Sequence, residues 1–132
     1  MIALDTNLLV RLLIQDGASQ ARAVERLFIR ARRDRTQLFV ADVVLCELVW
    51  VLSRRAKVSR VGIADALEQL LNAETIMVSD LGIAKRALAA YRDGPGDFAD
   101  YLVREQALAA GASEVVTFDR ALRGENGFKV LG

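Results

Sequence analysis

The sequence predicts an α/β fold with a central, mostly parallel sheet of four to five strands and helices on both faces. Short apolar runs alternate with longer segments of helical periodicity, the pattern of strands joined by crossover helices. The runs are rich in Val, Ile and Leu without polar alternation, which is typical of strands buried on both faces. The chain has 132 residues. Because it shows no repeat or linker, we expect one domain over residues 1–132.

The first elements are a strand and two helices. The apolar residues 2–4 predict a buried strand, and residues 8–14 continue into a helix that Asn7 can cap. A second helix is predicted over residues 19–35. Apolar side chains recur along one of its faces at Ala23, Leu27 and Ala31.

The middle of the chain predicts a strand at residues 38–41, followed by a helix to about residue 55 that Asp42 can cap. Ser59 can cap the next helix. The apolar face of that helix carries Ile63, Leu67, Leu70 and Leu71.

The last part predicts two more helices and the remaining strands. One helix begins at residue 79 or 80 and ends near 91, and a loop at 93–96 holds the only proline. The other helix covers residues 97–110 and is ended by Gly111. Strands are predicted at residues 75–78, at 114–118 and, at the sheet edge, at 128–131.

Composition restricts the chemistry. The chain has no histidine and one cysteine, Cys46. Histidine acid–base catalysis, Ser-His-Asp triads, histidine or thiolate metal clusters and an internal disulfide are therefore excluded. Catalysis must depend on carboxylates, hydroxyls, Lys, Arg and a metal that prefers oxygen. The single cysteine, the absence of a basic leader and the lack of an apolar membrane span predict a soluble cytoplasmic protein with no membrane association.

Four acidic residues stand beside apolar runs: Asp5, Glu47, Asp100 and Asp119. A carboxylate is costly to bury unless it is paired or holds a metal. Asp5 and Asp119 each follow a predicted strand, and ligands of open α/β sheets bind beyond the carboxyl ends of the strands. Glu47 has only apolar helical neighbours at three and four residues' distance. We therefore expect one shared site that imports positive charge.

The acids other than Glu47 also have purely structural interpretations. Asp5 could cap the following helix, and Asp119 could belong to an ordinary turn. Asp97 and Asp100 could both stabilise a helix N-terminus. However, acids three residues apart share a helix face and repel each other, and a metal ion between them would relieve that repulsion.

Four segments together resemble the PIN-domain ribonucleases, and the small size resembles the VapC-type toxins of bacterial and archaeal toxin–antitoxin pairs. The similarity extends from residue 2 to about 122. The segments are Leu4-Asp5-Thr6-Asn7, the stretch from Val44 to Leu52 around Glu47, the stretch from Asp97 to Val103, and Val116-Thr117-Phe118-Asp119-Arg120.

The resemblance implies a single PIN-like domain and a metal-dependent endoribonuclease that uses Mg²⁺, with Mn²⁺ as the other possible ion. It assigns the metal-binding and catalytic positions to Asp5, Glu47, Asp100 and Asp119, with Asp97 as a further candidate ligand, and the pocket lining to Asn7 and Thr117. After Asp100, the family often has small apolar residues where this chain has Val103-Arg104-Glu105-Gln106.

The hypothesis that follows is hydrolysis of an RNA phosphodiester by metal-activated water. Asp5 and Asp100 would be the principal ligands, Glu47 would bind metal or orient the water, and Asp119 would complete the shell. Basic residues are candidates for RNA phosphate contacts, although a solvated helix face would look the same. These candidates are Arg32, Arg33, Arg54 and Arg55.

The resemblance also implies partners. An RNA substrate, a homodimer and a cognate antitoxin are expected, with an antitoxin arginine reaching the acidic pocket. The apolar surface around Trp50 and residues 67–71 is the expected docking face. Two alternatives remain open, a receiver-like phosphoacceptor domain and a non-catalytic protein-binding module. The receiver-like alternative needs paired acids after the first strand, whereas here Thr6 follows Asp5.

Overall fold

The computed structural model describes residues 1–14 and 18–132, which form two compact units, Met1–Leu81 and Gly82–Gly132. The described residues contain six α-helices, one short 3-10 helix and five strands, and every strand pairing among them is parallel. The predicted α/β class with parallel strands is therefore confirmed. That residues 1–132 act as one domain stays a prediction.

The first unit is built on a three-stranded parallel sheet. Its strands are β1 (Ile2–Ala3), β2 (Leu38–Val40) and β3 (Ile76–Val78), with β2 in the centre. Leu38 of β2 pairs with Ile2 on one side and Ile76 on the other. The central position explains why Leu38 and Val40 have no exposed surface.

Four helices complete the first unit. Leu45, Leu48 and Leu52 recur on the inner face of the third of these and are almost fully buried. The last one is capped as predicted, since the Ser59 hydroxyl accepts a hydrogen bond from the Gly62 N–H at 3.1 Å. The helices are α1 (Thr6–Leu13), α2 (Ala18–Asp34), α3 (Asp42–Arg54) and α4 (Arg60–Asn72).

The second unit packs two helices and a strand pair around aromatic side chains. Phe98 and Tyr101 have no exposed surface. The Tyr91 ring meets Phe98 edge-on at 6.2 Å between centroids, and the Phe128 ring meets Tyr101 in the same way at 6.1 Å. Its elements are α5 (Leu81–Asp93), α6 (Phe98–Ala109), β4 (Val115–Thr117), the 3-10 helix (Arg120–Leu122) and β5 (Phe128–Val130).

The prediction of one sheet of four to five strands is wrong. The described strands form a three-stranded sheet, β1-β2-β3, and a separate pair, β4-β5. Each strand has only two or three residues. Such short strands make few ladder hydrogen bonds, and apolar runs mark where strands lie without encoding which backbones pair.

Three local predictions are also corrected. Asp5, rather than Asn7, is the N-cap of α1. Ala41, rather than Asp42, occupies the N-cap position of α3, and Asp42 lies in the first turn. Leu67, which was expected on a docking face, is fully buried because α4 turns its leucines into the core. No helix in the described part of the chain is long and apolar enough to cross a bilayer.

Candidate active site

The first unit brings Asp5 and Glu47 to one cavity. Strands β1 and β2 are parallel neighbours, so their carboxyl ends meet at the same sheet edge. Helix α1 starts there after β1, α3 starts there after β2, and the two helices pack together. Asp5 at the head of α1 and Glu47 in α3 therefore line a cavity of about 330 Å³. The other lining residues are Thr6, Asn7, Trp50, Val51 and Arg55.

Asp5 has a local structural role as well. Its Oδ1 accepts a hydrogen bond from the Thr6 N–H at 2.7 Å, at the start of α1. The capping interpretation is thus correct, but it does not exclude a ligand. A carboxylate can accept about four hydrogen bonds, so one N–H leaves Asp5 with acceptor capacity toward the cavity.

Thr6 is a residue of interest that the sequence reasoning missed. It is 5% exposed, and its hydroxyl has no hydrogen-bond partner among the described residues. An unsatisfied buried hydroxyl is costly, and such groups in native proteins usually meet a water or ligand. A polar residue between the apolar run that ends at Leu4 and the start of a helix was the available signal.

Glu47 lies on an exposed face of α3, not on a buried one. Its neighbours Val43 and Trp50 are 64% and 54% exposed. The apolar neighbours of Glu47 are therefore partly surface residues, and this carboxylate needs no partner to be tolerated. What distinguishes it is its position on the same cavity as Asp5.

The second unit groups three acids around the start of α6. Asp97 is the N-cap residue, and its backbone N–H donates a hydrogen bond to Asp100 Oδ2 at 3.0 Å. Asp119 caps the 3-10 helix through Oδ1, which accepts from the Ala121 N–H at 2.9 Å. The Asp119 N–H donates to the Thr117 hydroxyl at 3.0 Å. Thr117 therefore orients the backbone that carries Asp119.

Asp100 is electrostatically the most perturbed of these acids. Burial raises the pKa of its carboxyl, the hydrogen bond from Asp97 opposes that shift, and the charges of Asp97 and Asp119 raise the pKa further. The Asp97 and Asp119 carboxylates thus both act on Asp100. Of the predicted acids, Asp100 alone is half-buried, whereas the others are exposed.

Tyr101 supports the turn before α6 and was not identified from the sequence. Its hydroxyl donates to Glu125 Oε1 at 2.7 Å and accepts from the Gly96 N–H at 3.0 Å. A side chain at Gly94 would collide with that hydroxyl. The Tyr101 hydroxyl therefore fixes the segment that leads into Asp97 and Asp100.

The segment that departs from the family pattern has a packing role. The Arg104 guanidinium lies 5.0 Å from the Tyr101 ring centroid and 5.7 Å from that of Phe128. The Glu105 carboxylate makes ion pairs with both Arg104 and Arg86, each at 3.0 Å. These contacts tie α6 to α5 and β5, which explains why charged residues follow Asp100 here.

The donor set has the chemistry of a site for a hard cation. No three His, Cys, Asp or Glu side chains within the described residues form a ready-made metal cage. The acids present offer only carboxylate oxygens, the ligands that divalent cations such as Mg²⁺ prefer. The mutual repulsion felt at Asp100 is also the kind that a cation relieves.

The four candidate arginines differ in their surroundings. All are exposed. Arg33 is paired with Asp34 at 3.0 Å near the end of α2, and neither Arg32 nor Arg33 lines the Asp5–Glu47 cavity. Arg55 does line it, and its guanidinium lies 5.9 Å from the Trp50 ring centroid. The structure thus brings one of the four to the predicted site.

Comparison with known proteins identifies the family of the chain. The family model described as PIN domain matches residues 2–124 and so spans every predicted acid. A protein named VapC ribonuclease, from Aquifex aeolicus (strain VF5), is 30% identical to this chain over 131 residues. The alignment covers 99% of this chain and 96% of that protein.

Proposed function

The chain belongs to the PIN-domain family, and we propose that it is a divalent-metal-dependent endoribonuclease that hydrolyses RNA phosphodiester bonds. The observation that carries the proposal is the grouping of the acids. Asp5 and Glu47 share a cavity after parallel strands, and Asp97, Asp100 and Asp119 interact around the start of α6. Convergence of the two groups on one substrate is part of the proposal. Family membership leaves no support for the receiver-like alternative.

Mg²⁺ is the proposed ion, with Mn²⁺ as the alternative. Asp5 and Asp100 would hold it, Asp119 and Asp97 would complete the carboxylate shell, and Glu47 would bind the metal or orient the attacking water. Asn7 and Thr117 would line the pocket. When bound, such a cation lowers the pKa of water and stabilises charge on phosphoryl oxygens. The oxygen-only donor set supports this choice.

The test is cleavage of single-stranded RNA by the purified protein in Mg²⁺, in Mn²⁺ and in EDTA. We expect cleavage only with metal, and its loss in Asp5→Asn and Asp100→Asn. Glu74→Gln in the first unit and Glu114→Gln in the second are matched controls, because both are exposed acids outside the proposed site. Metal-independent cleavage, or full activity in both Asp variants, would contradict the proposal.

We further propose that the chain is the toxin of a type II toxin–antitoxin pair, acting in the cytoplasm as a homodimer. The name of the Aquifex relative supports the toxin role. An antitoxin arginine would plug the acidic pocket, since a guanidinium offers paired donors and a permanent charge. The docking face predicted from the sequence is exposed only at Trp50. Its other residues, Leu67, Leu70 and Leu71, belong to the core.

A further inference from the structure

Trp50 lies on the protein surface and not in the core. It is the only tryptophan in the chain and is 54% exposed. Tryptophan is enriched at binding interfaces, where its ring offers apolar area and its N–H a polar group. Its position three residues after Glu47 puts both side chains on the same face of α3. Both also line the cavity that Asp5 enters.

Arg55 gives this aromatic site a positive charge. Its guanidinium lies 5.9 Å from the Trp50 ring centroid, and the same cavity is lined by both residues. An exposed cation–π contact is weak, and stacking of a nucleic-acid base on an aromatic ring is stronger. A base can therefore take the place of the guanidinium, which remains close enough to meet the phosphate next to that base.

From these contacts we infer that Trp50 and Arg55 form a nucleotide subsite beside the Asp5–Glu47 cavity. Trp50 stacks on an unpaired RNA base and Arg55 contacts the adjoining phosphate. The inference rests on the proposed function and adds to it: it selects single-stranded RNA and places one nucleotide beside the carboxylates.

The surroundings of Trp50 favour RNA over a protein occupant. On the exposed face of α3 the indole lies between Glu47, three residues before it, and Arg54, four residues after it, and Arg55 follows at the end of the helix. Val43, one turn before Glu47, is the other exposed large apolar side chain of this helix. A protein interface of useful strength needs a continuous apolar core around its aromatic anchor. Val43 and Val51 do not make such a core, whereas an indole with arginines beside it is the combination that single-stranded nucleic-acid sites use.

The single tryptophan makes the subsite directly observable, because all indole fluorescence comes from Trp50. The metal-free protein in EDTA is titrated with a single-stranded RNA of about 12 nucleotides, within the usual span of such sites, and with the corresponding duplex. We expect saturable quenching by the single strand and little by the duplex, whose bases are already stacked.

Variants then separate stacking from charge. Binding of a labelled RNA, measured by anisotropy, should weaken by about 5- to 100-fold in Trp50→Ala and recover in Trp50→Phe. Ile29→Ala removes a comparably exposed apolar side chain of α2 and should change nothing. Arg55→Gln should lower the slope of log affinity against log salt by about one. In cleavage assays Trp50→Ala should raise KM and leave kcat close to that of the wild type.

The outcomes distinguish the subsite from the nuclease. If RNA does not quench the fluorescence of the wild type and Trp50→Ala binds RNA with wild-type affinity, the subsite is overturned, even if Asp5→Asn still abolishes cleavage. If RNA quenches the fluorescence but no metal-dependent cleavage is found, the nuclease proposal is contradicted and the subsite is supported. A blue-shifted emission that depends on protein concentration, together with dimer in sedimentation that Trp50→Ala disrupts, assigns the indole to a second copy of this chain and overturns the inference.

Discussion

The backbone N–H of Asp97 donates a hydrogen bond to the Asp100 carboxylate, with 3.0 Å between N and Oδ2. One bond therefore joins two acids that repel each other. It closes the first turn of α6, fixes the orientation of the Asp100 side chain and partly offsets the rise that burial imposes on the pKa of Asp100. The same carboxylate thus serves the helix and, in the proposed mechanism, the metal.

The raised pKa gives stability a defined pH dependence. The folded state favours the protonated carboxyl of Asp100. The protonated form therefore adds to the free energy of unfolding at acid pH, and this stabilisation is lost as pH rises through the folded-state pKa. Asp100→Asn keeps an acceptor for the Asp97 N–H and removes the charge. In metal-free buffer its Tm should equal or exceed that of the wild type at neutral pH, with the difference vanishing in acid. A lower Tm at neutral pH would show that the ionised form is stabilised by an unrecognised partner.

Metal binding should be visible as thermal stabilisation. A ligand that binds only the folded state stabilises it by about 2.7 kcal/mol at a hundredfold excess over Kd. Mg²⁺ or Mn²⁺ should therefore raise the Tm of the wild type by several degrees. If Asp5 and Asp100 share the ion, Asp5→Asn and Asp100→Asn should each remove most of that rise, and Glu114→Gln should retain it. If only one of the two variants lost the metal-induced rise in Tm, Asp5 and Asp100 would not bind the same ion.

Tyr101→Phe tests whether the turn before α6 positions the acids. The change removes the hydroxyl that donates to Glu125 and accepts from Gly96. Breaking buried hydrogen bonds of this kind costs about 1–3 kcal/mol, so Tm and cleavage should both fall. Glu125→Gln keeps an acceptor and should do less damage. A double-mutant cycle between positions 101 and 125 measures the coupling, and additive effects would show that the bond contributes nothing.

Several of these features were readable from the sequence. The acids at positions 97 and 100 marked a helix start because their spacing matches a helical turn, and the Ser59 cap followed from the same rule. Apolar runs located the five strands. Sheet membership was not readable, since strands of two or three residues carry too few side chains to specify their partners.

The role of Tyr101 was hidden for a different reason. Its position in an apolar helix resembles simple packing, and its partner Glu125 lies 24 residues further along the chain. Trp50 was predicted on an apolar docking face, and its indole is exposed, while α3 buries Leu48, Val49 and Leu52. The same prediction was wrong for residues 67–71, where Leu67, Leu70 and Leu71 face the core. Helical periodicity is hard to detect where nearly every residue is apolar.

Salt dependence distinguishes the candidate arginines. Each lost phosphate contact should lower the slope of log affinity against log salt by about one. Arg33 is paired with Asp34 and lies outside the cavity, so Arg32→Gln and Arg33→Gln together should leave the slope close to that of the wild type. Arg54→Gln and Arg55→Gln together should lower it. If the slope instead falls in the Arg32/Arg33 double variant and stays unchanged in the Arg54/Arg55 double variant, RNA binds along α2.

Expression in bacteria without a partner tests the toxin role. If the chain cleaves cellular RNA, inducing the wild type should arrest growth, and Asp5→Asn, which loses a proposed ligand, should not. Immunoblotting must show equal amounts of both proteins, and Glu74→Gln should arrest growth like the wild type. An antitoxin should restore growth, and replacing its pocket-directed arginine should weaken the rescue, because the guanidinium is the proposed plug for the carboxylates. Equal growth with wild type and Asp5→Asn would count against toxicity, while metal-dependent cleavage in vitro would still identify a ribonuclease with another cellular task.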